Sequence, residues 1–216
     1  MMTLHDLWQD PATPLVLRTT TTSPFGRKVR IAAQVLGLDG RLSLRPADTR
    51  DPEDTLRQQN PLGKMPCLLI GTEPFYDSSV ILDLLDLLAG GGQLLPPVTS
   101  ALPRLRALTR ARLADGITEA ALLMVYEGRF RAPDQVSQIW LEHLRGKVMR
   151  GLADFEQAPP DPTRACLVSI GLACALGYLD WRQPVDWRGA HPVLTGWLDQ
   201  FAAAVPAFSA TERDLA

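Results

Sequence analysis

Residues 89–103 carry three glycines and three prolines, and the hydrophobic pattern differs on the two sides of that tract. Before it, short apolar runs alternate with amphipathic stretches. After it, the pattern is helical throughout, with three- and four-residue apolar spacing or, over 166–179, apolar residues nearly all round. Proline cannot continue a helix and glycine adopts backbone angles closed to other residues, so such a tract separates elements. The chain therefore divides into a mixed α/β part and an all-helical part. Its 216 residues are enough to supply both parts with cores. The expected division is an N-terminal extension over 1–14, an α/β domain over 15–89, a linker over 90–103 and a helical domain over 104–216.

Within the first part, Leu15, Val16 and Leu17 form a strand-sized apolar run. Phe25, Val29, Ala32, Ala33 and Leu36 then keep helical spacing, with Gly37 in the place of a C-cap. Leu42 and Leu44 alternate with polar residues as a second strand, and residues 51–59 read as a polar helix stopped by Asn60-Pro61. Residues 66–70 and 74–76 read as paired strands around a turn at Gly71. Asp77 or Ser78 then caps a helix whose apolar face is Val80, Ile81, Leu84, Leu85 and Leu88. Beyond the linker, one long helix runs from Leu102 past Met124 and a second from Val136 to Leu152. Pro159-Pro160-Asp161-Pro162 breaks the pattern. Residues 166–179 are apolar nearly all round, as expected of a central helix, and a last helix covers 193–205.

Charge and cysteine usage narrow the function classes. The net charge is -2, from 22 basic and 24 acidic side chains, so nucleic acid is not the expected partner. Cys67, Cys166 and Cys174 show neither CxxC nor zinc-ligand spacing, and His5, His143 and His191 are scattered. Neither a disulfide framework nor a metal site is expected, and the cysteines are read as core residues. No apolar run has membrane-spanning length and the N-terminus lacks a secretory pattern, so the expected location is cytoplasmic.

Three ordered motifs carry the chemistry. They are Thr22-Ser23-Pro24-Phe25-Gly26-Arg27-Lys28-Val29-Arg30, Asn60-Pro61-Leu62-Gly63-Lys64-Met65-Pro66 and Tyr76-Asp77-Ser78-Ser79-Val80-Ile81. With Leu172 to Arg182 in the helical part, they resemble the glutathione S-transferase superfamily in its bacterial, serine-type form. The resemblance implies a thioredoxin-like N-terminal domain followed by a helical bundle, commonly as a homodimer. It also implies glutathione as co-substrate, and a small hydrophobic electrophile, as in detoxification, taken into a cleft between the domains. The sequence does not name that electrophile.

Ser23 reads first as the N-cap of a helix with proline at N1. The resemblance implies that its hydroxyl also donates to the thiolate of glutathione. The two roles are compatible, because a hydroxyl accepts from a backbone N–H while donating its own proton. A free thiol has a pKa of about 8.5, so lowering it by roughly two units takes about 2.7 kcal/mol of thiolate stabilisation. One charge-assisted hydrogen bond contributes about 1.5–3 kcal/mol and a helix N-terminus about 0.3–1 kcal/mol, which together suffice. Thr22 is the nearest substitute donor, and Thr22 and Phe25 are counted with the glutathione-binding residues.

X-Pro bonds are cis in only about 5–6% of folded cases, so Met65-Pro66 alone would be expected trans. The resemblance implies a cis bond instead, with the Met65 main chain pairing to the cysteinyl part of glutathione like an added strand. Lys64 either reaches the glycyl carboxylate or stays solvated. Asp77 and Ser78 read as helix caps, and the resemblance implies that they hold the γ-glutamyl group, Asp77 its amine and Ser78 its α-carboxylate. One departure concerns the core helix, where Cys166 and Ser169 stand in place of the family's Ser/Thr and Asp capping pair. Met124, Tyr126, Phe130 and Arg131 fall where the second-substrate pocket of such proteins lies, as core or rim. A GST-like binding module without turnover and a glutathione-dependent reductase are the alternatives. The latter would use no protein thiol at position 23.

Overall fold

The computed structural model describes residue 6 and residues 10–213, in two compact units. In the first, strand β1 (Leu15–Thr19) leads into helix α1 (Pro24–Val35), strand β2 (Leu42–Pro46) and the short helix α2 (Leu56–Gln59). Strands β3 (Cys67–Ile70) and β4 (Glu73–Phe75) and helix α3 (Ser78–Leu88) complete it. The sheet order is β2-β1-β3-β4, with β1 parallel to β2, and β3 antiparallel to both β1 and β4. This is the expected thioredoxin-like arrangement.

Strand alternation divides the core. Leu15, Leu17 and Thr19 are buried on one face of β1, and α1 and α3 pack against each other. Val16 on the opposite face joins Met65 against the cluster of Ala47, Leu56, Cys67 and Leu69. Arg18 shares that second parity and is only 3% exposed. Its guanidinium donates to Thr55 Oγ1 at 2.9 Å, Gln59 Oε1 at 2.6 Å and Asp54 Oδ1 at 2.6 Å. The polar helix expected over 51–59 is consequently confined to its last turn. Asp54 spends its carboxylate on Arg18 and on the backbone N–H groups of Asp48 and Leu56, both at 2.7 Å, which wraps the preceding residues as a loop.

The linker is tied back to α3. Asp86 is 1% exposed, and its carboxylate accepts from the N–H groups of Gly92, Gln93 and Leu94 at 2.8–3.0 Å. Gly90, Gly91 and Gly92 all take positive φ there, between 77° and 98°, which explains the glycine run.

The second unit, Leu102–Pro206, contains most of α4 (Ala101–Phe130), then α5 (Gln138–Gln157), α6 (Leu167–Arg182) and α7 (Pro192–Ala204). Leu167 to Ala175 in α6 are all buried, as the all-round apolar pattern predicts, and α4 comes close to α6 at Gly171. A Cβ at Gly171 would lie 3.3 Å from that of Ala114. Glu156 of α5 caps α7, accepting from Val193 and Leu194 N–H at 2.8 and 2.9 Å. At the start of α6 the missing acidic cap is replaced by Ser169, whose hydroxyl accepts from Cys166 N–H at 2.9 Å and donates to Arg164 O at 2.7 Å. Cys166 is half-buried, not a core residue as expected, because the cap position lies at the helix end; Cys67 and Cys174 are buried. His191 is buried at the start of α7, and neither ring nitrogen has a hydrogen-bond partner among the described residues.

The chain end departs from the expected division. Residues 207–213, with α8 (Pro206–Ala210) but for its first residue, belong with the first unit and not with the helical one. Two arginines of α1 account for this. Arg27 donates to Phe208 O at 2.7 Å with its guanidinium 4.1 Å from that ring's centre, and Arg30 donates to Thr211 O at 3.2 Å. Residues 10–13 are likewise fastened, by Arg41 donating to Asp10 O and Thr13 O. Most of the N-terminal extension expected over 1–14, His5 included, lies outside the described residues.

Candidate functional site

Helix α1 is the hub that joins the three motifs. Ser23 is its N-cap, in extended backbone, and accepts from Gly26 N–H at 3.1 Å, with Pro24 at the first helical position. The Ser23 hydroxyl hydrogen is not consumed by that bond and is left to donate. Gly26 is demanded by the packing, since a Cβ there would overlap Thr19 Oγ1 and lie 3.0 Å from Thr19 Cβ. The first turn of α1 is thus pressed against the end of β1, which fixes where Ser23 sits.

The second motif reaches the same place through the loop before α1. The Thr20 hydroxyl lies 3.0 Å from that of Thr22 and donates to Met65 Sδ at 3.5 Å. The Met65–Pro66 bond is cis, as the resemblance implies and the bare X-Pro statistics do not. Asn60 holds the approach to it. Its side-chain amide donates to Lys64 O at 2.8 Å while its oxygen accepts from Leu62 N–H at 3.1 Å. Asn60 is 2% exposed, whereas the Lys64 side chain is exposed.

The third motif is joined from the other side. Lys28, 1% exposed, runs from α1 to donate from Nζ to Ser78 Oγ at 3.3 Å, and its ammonium is 5.8 Å from the centre of the half-buried Phe25 ring. An ammonium only donates, so Ser78 must accept and its own proton is left to bind an anion. Asp77 caps α3 by accepting from Ser79 N–H at 3.0 Å, and its side chain is exposed. The motifs therefore meet at two helix N-termini and a cis-proline corner: Ser23 at α1, Asp77 and Ser78 at α3, and Met65 beside Thr20. Among the described residues no three His, Cys, Asp or Glu side chains are grouped as metal ligands.

Residues 17–93 match the family model described as glutathione S-transferase, N-terminal domain. The uncharacterized GST-like protein YibF of Escherichia coli (strain K12) is 34% identical over 167 residues, which cover 75% of this chain and 80% of YibF. The chain belongs to the glutathione S-transferase superfamily. Two solved transferases are similar over nearly the full length. One, a glutathione transferase family member from Pseudomonas fluorescens Pf-5 with bound glutathione, is 38% identical at a TM-score of 0.85, covering 93% of this chain and 100% of that one. The other, from Methylobacterium radiotolerans JCM 2831 in complex with glutathione sulfonate, is 34% identical at a TM-score of 0.81, covering 94% and 98%.

Lys28 and Asn60 are the site-building residues that reading the transferase motifs residue by residue passes over. Lys28 was legible as one of only three lysines in the chain, lying on the buried stripe of α1 one residue before Val29. Asn60 carried no signal beyond its place before Pro61, because its partners are backbone groups whose direction the turn decides.

Proposed function

We propose that this chain is a glutathione transferase in which Ser23 activates the thiol of glutathione for attack on a small electrophile. The observation that carries the reading is the arrangement around α1, where Ser23 accepts from Gly26 N–H and keeps a proton to donate. A thiolate at that helix start gains one charge-assisted hydrogen bond and the favourable end of the helix dipole. The Met65 main chain, held beside the loop before α1 by Thr20 and by Asn60 on the Lys64 carbonyl, supports strand-like pairing with the cysteinyl unit. Ser78 with the α3 N-terminus supports binding of the γ-glutamyl carboxylate, Asp77 binding of the amine, and Lys64 screening of the glycyl carboxylate. Thr22, 3.0 Å from the Thr20 hydroxyl, and Phe25, beside Lys28, are counted with the glutathione-binding residues in this proposal. The chemistry then balances simply. The thiol proton passes to water, the sulfur forms a bond to the electrophilic carbon, and the leaving group departs with the bonding pair. Similar transferases described as holding glutathione support this ligand. A cytoplasmic homodimer acting in detoxification is part of the same proposal.

Titration calorimetry with glutathione and its S-methyl derivative tests the binding half, and heat of binding in the millimolar range or below is expected. Absence of binding at millimolar concentration overturns the proposal and leaves a GST-like interaction module. The Ser23→Ala variant tests the activation half. The pKa of bound glutathione, read from thiolate absorbance, should rise by at least about one unit, which corresponds to about 1.4 kcal/mol. An unchanged pKa would leave Ser23 as a helix cap alone.

A further inference from the structure

We propose that the helical unit binds its second substrate by an anionic group, with Arg129 and Arg182 as the anion-holding residues of an aromatic-walled site. The proposal rests on the reading of the chain as a glutathione transferase whose helical unit takes the electrophile, and it adds that electrophile's chemical class: a planar apolar body bearing a carboxylate or comparable anion.

The observation is a contrast among the arginines of this unit. Of the arginines here that lie over a ring, Arg110 on Phe155 and Arg188 on Trp187 are also paired with a carboxylate, those of Asp154 and Asp180. Arg129 and Arg182 have no carboxylate within ion-pair distance among the described residues, and they lie against rings instead. The Arg182 guanidinium is 3.6 Å from the centre of the Trp181 ring, and that of Arg129 is within 6 Å of both Tyr126 and Phe130, at 5.9 and 5.7 Å. The rings are themselves ordered edge to face, Tyr126 on Phe130 at 5.2 Å and Tyr178 on Trp181 at 5.9 Å.

Helices α4 and α6 pack closely, a Cβ at Gly171 of α6 lying 3.3 Å from that of Ala114 of α4. Tyr126, Arg129 and Phe130 close the C-terminal end of α4, and Tyr178, Trp181 and Arg182 close that of α6. The two ends share one electrostatic environment. Burial raises the Tyr178 phenol above its ordinary range, and the charges of Arg182 and Arg129, from different helices, both act against that rise. Both guanidiniums are exposed, as is Phe130 at 65%, while Tyr178 is buried at 5%. Arg182 also hydrogen-bonds the Tyr178 hydroxyl, but a guanidinium has five N–H groups, and those not so used match a carboxylate in bidentate geometry. The exposed aromatic edges offer apolar area to the rest of such a ligand.

The test needs no turnover. The full chain is titrated with 3-nitrobenzoate and with neutral 3-nitrobenzamide, following tryptophan fluorescence and calorimetric heat. Nitrobenzoate is expected to bind at least tenfold more tightly. The Arg129→Gln/Arg182→Gln double variant should abolish that preference while leaving nitrobenzamide binding within twofold, and Arg145→Gln, on a paired surface arginine, should leave it intact. Equal affinity for the two probes, a preference that survives in the double variant, or no detectable nitrobenzoate binding at 10 mM overturns the proposal. Both arginines are exposed, so an unchanged melting temperature and glutathione affinity will show that the double variant is folded. With 4-chloro-3-nitrobenzoate as electrophile, where sulfur replaces chloride on the ring, the double variant should raise KM about tenfold with kcat within twofold. Absence of glutathione binding would sink the transferase reading while leaving the nitrobenzoate titration readable.

Discussion

Strand β1 and helix α6 each run through the middle of their unit, yet they are built on opposite plans. β1 is apolar on one face and on the other carries Arg18, which reaches four oxygens on β2, the loop after it and α2. α6 is buried from Leu167 through Leu176 with Ser169 as the one hydroxyl among them, and its other polar groups are pushed to the C-terminal turn. A sheet has two faces and its loops must be drawn down by specific bonds. A helix satisfies its own backbone and can be enclosed by side-chain packing alone. Hence polar anchors and the candidate glutathione groups are interwoven in the first unit, whereas along α6 the polar groups gather at the helix ends.

The sharpest way to break this comparison is Arg18→Met. It leaves Asp54 without its cation and should cost about 3–5 kcal/mol of stability in the first unit, read from hydrogen exchange of β1 and β3 amides. Four of the five tryptophans, Trp140, Trp181, Trp187 and Trp197, lie in the second unit, so tryptophan fluorescence during denaturation should move less than those amides. Conversely, Leu176→Ala, at a site with 0% exposure, should cost about 2–5 kcal/mol in the second unit and leave glutathione affinity unchanged by calorimetry. An equal loss of glutathione affinity in that variant would refute the separation.

At the start of α6, Ser169→Ala removes the hydroxyl that serves Cys166 N–H, for a loss of about 1 kcal/mol in denaturant titration. Acid provides a finer probe of the first unit. Asp54 sits below its ordinary value of 3.8, held there by the N–H groups of Asp48 and Leu56 and then by Arg18. A depressed carboxyl contributes stability that is fully present above 3.8 and is lost as the pH falls through its folded value. Stability should therefore decline below that pH in the native chain and decline less in Asp54→Asn, measured by denaturant titration at pH 2–5. The smallest effect concerns Cys67, whose thiol burial raises to about 11 against the pull of Arg18. At pH 7 it should react with a disulfide reagent far more slowly than the half-buried Cys166, as peptide mapping of the labelled chain would show.

Much of the site was legible because its groups are helix caps. Ser23 before Pro24 and Asp77 before an apolar helix announce themselves locally, and the structure places both as caps. Arg18 was not legible, since the tract from Arg18 to Ser23 reads as polar loop and only the parity of β1 turns that side chain inward. The same holds for Arg27 and Arg30, which read as the polar face of a helix until the chain end packs on them.

By itself the sequence determined the order of elements, the change from mixed to helical structure near residue 89, and the three motifs of the candidate glutathione site. Those depend on period, caps and breakers, which act over a few residues. Only the tertiary structure decided that Lys28 orients Ser78, that Asn60 holds the Lys64 carbonyl, that residues 207–213 return to the first unit, and that Arg129 and Arg182 face rings instead of carboxylates. A charged side chain takes the partner that folding brings within reach, and from Lys28 to Ser78 that partner lies 50 residues away.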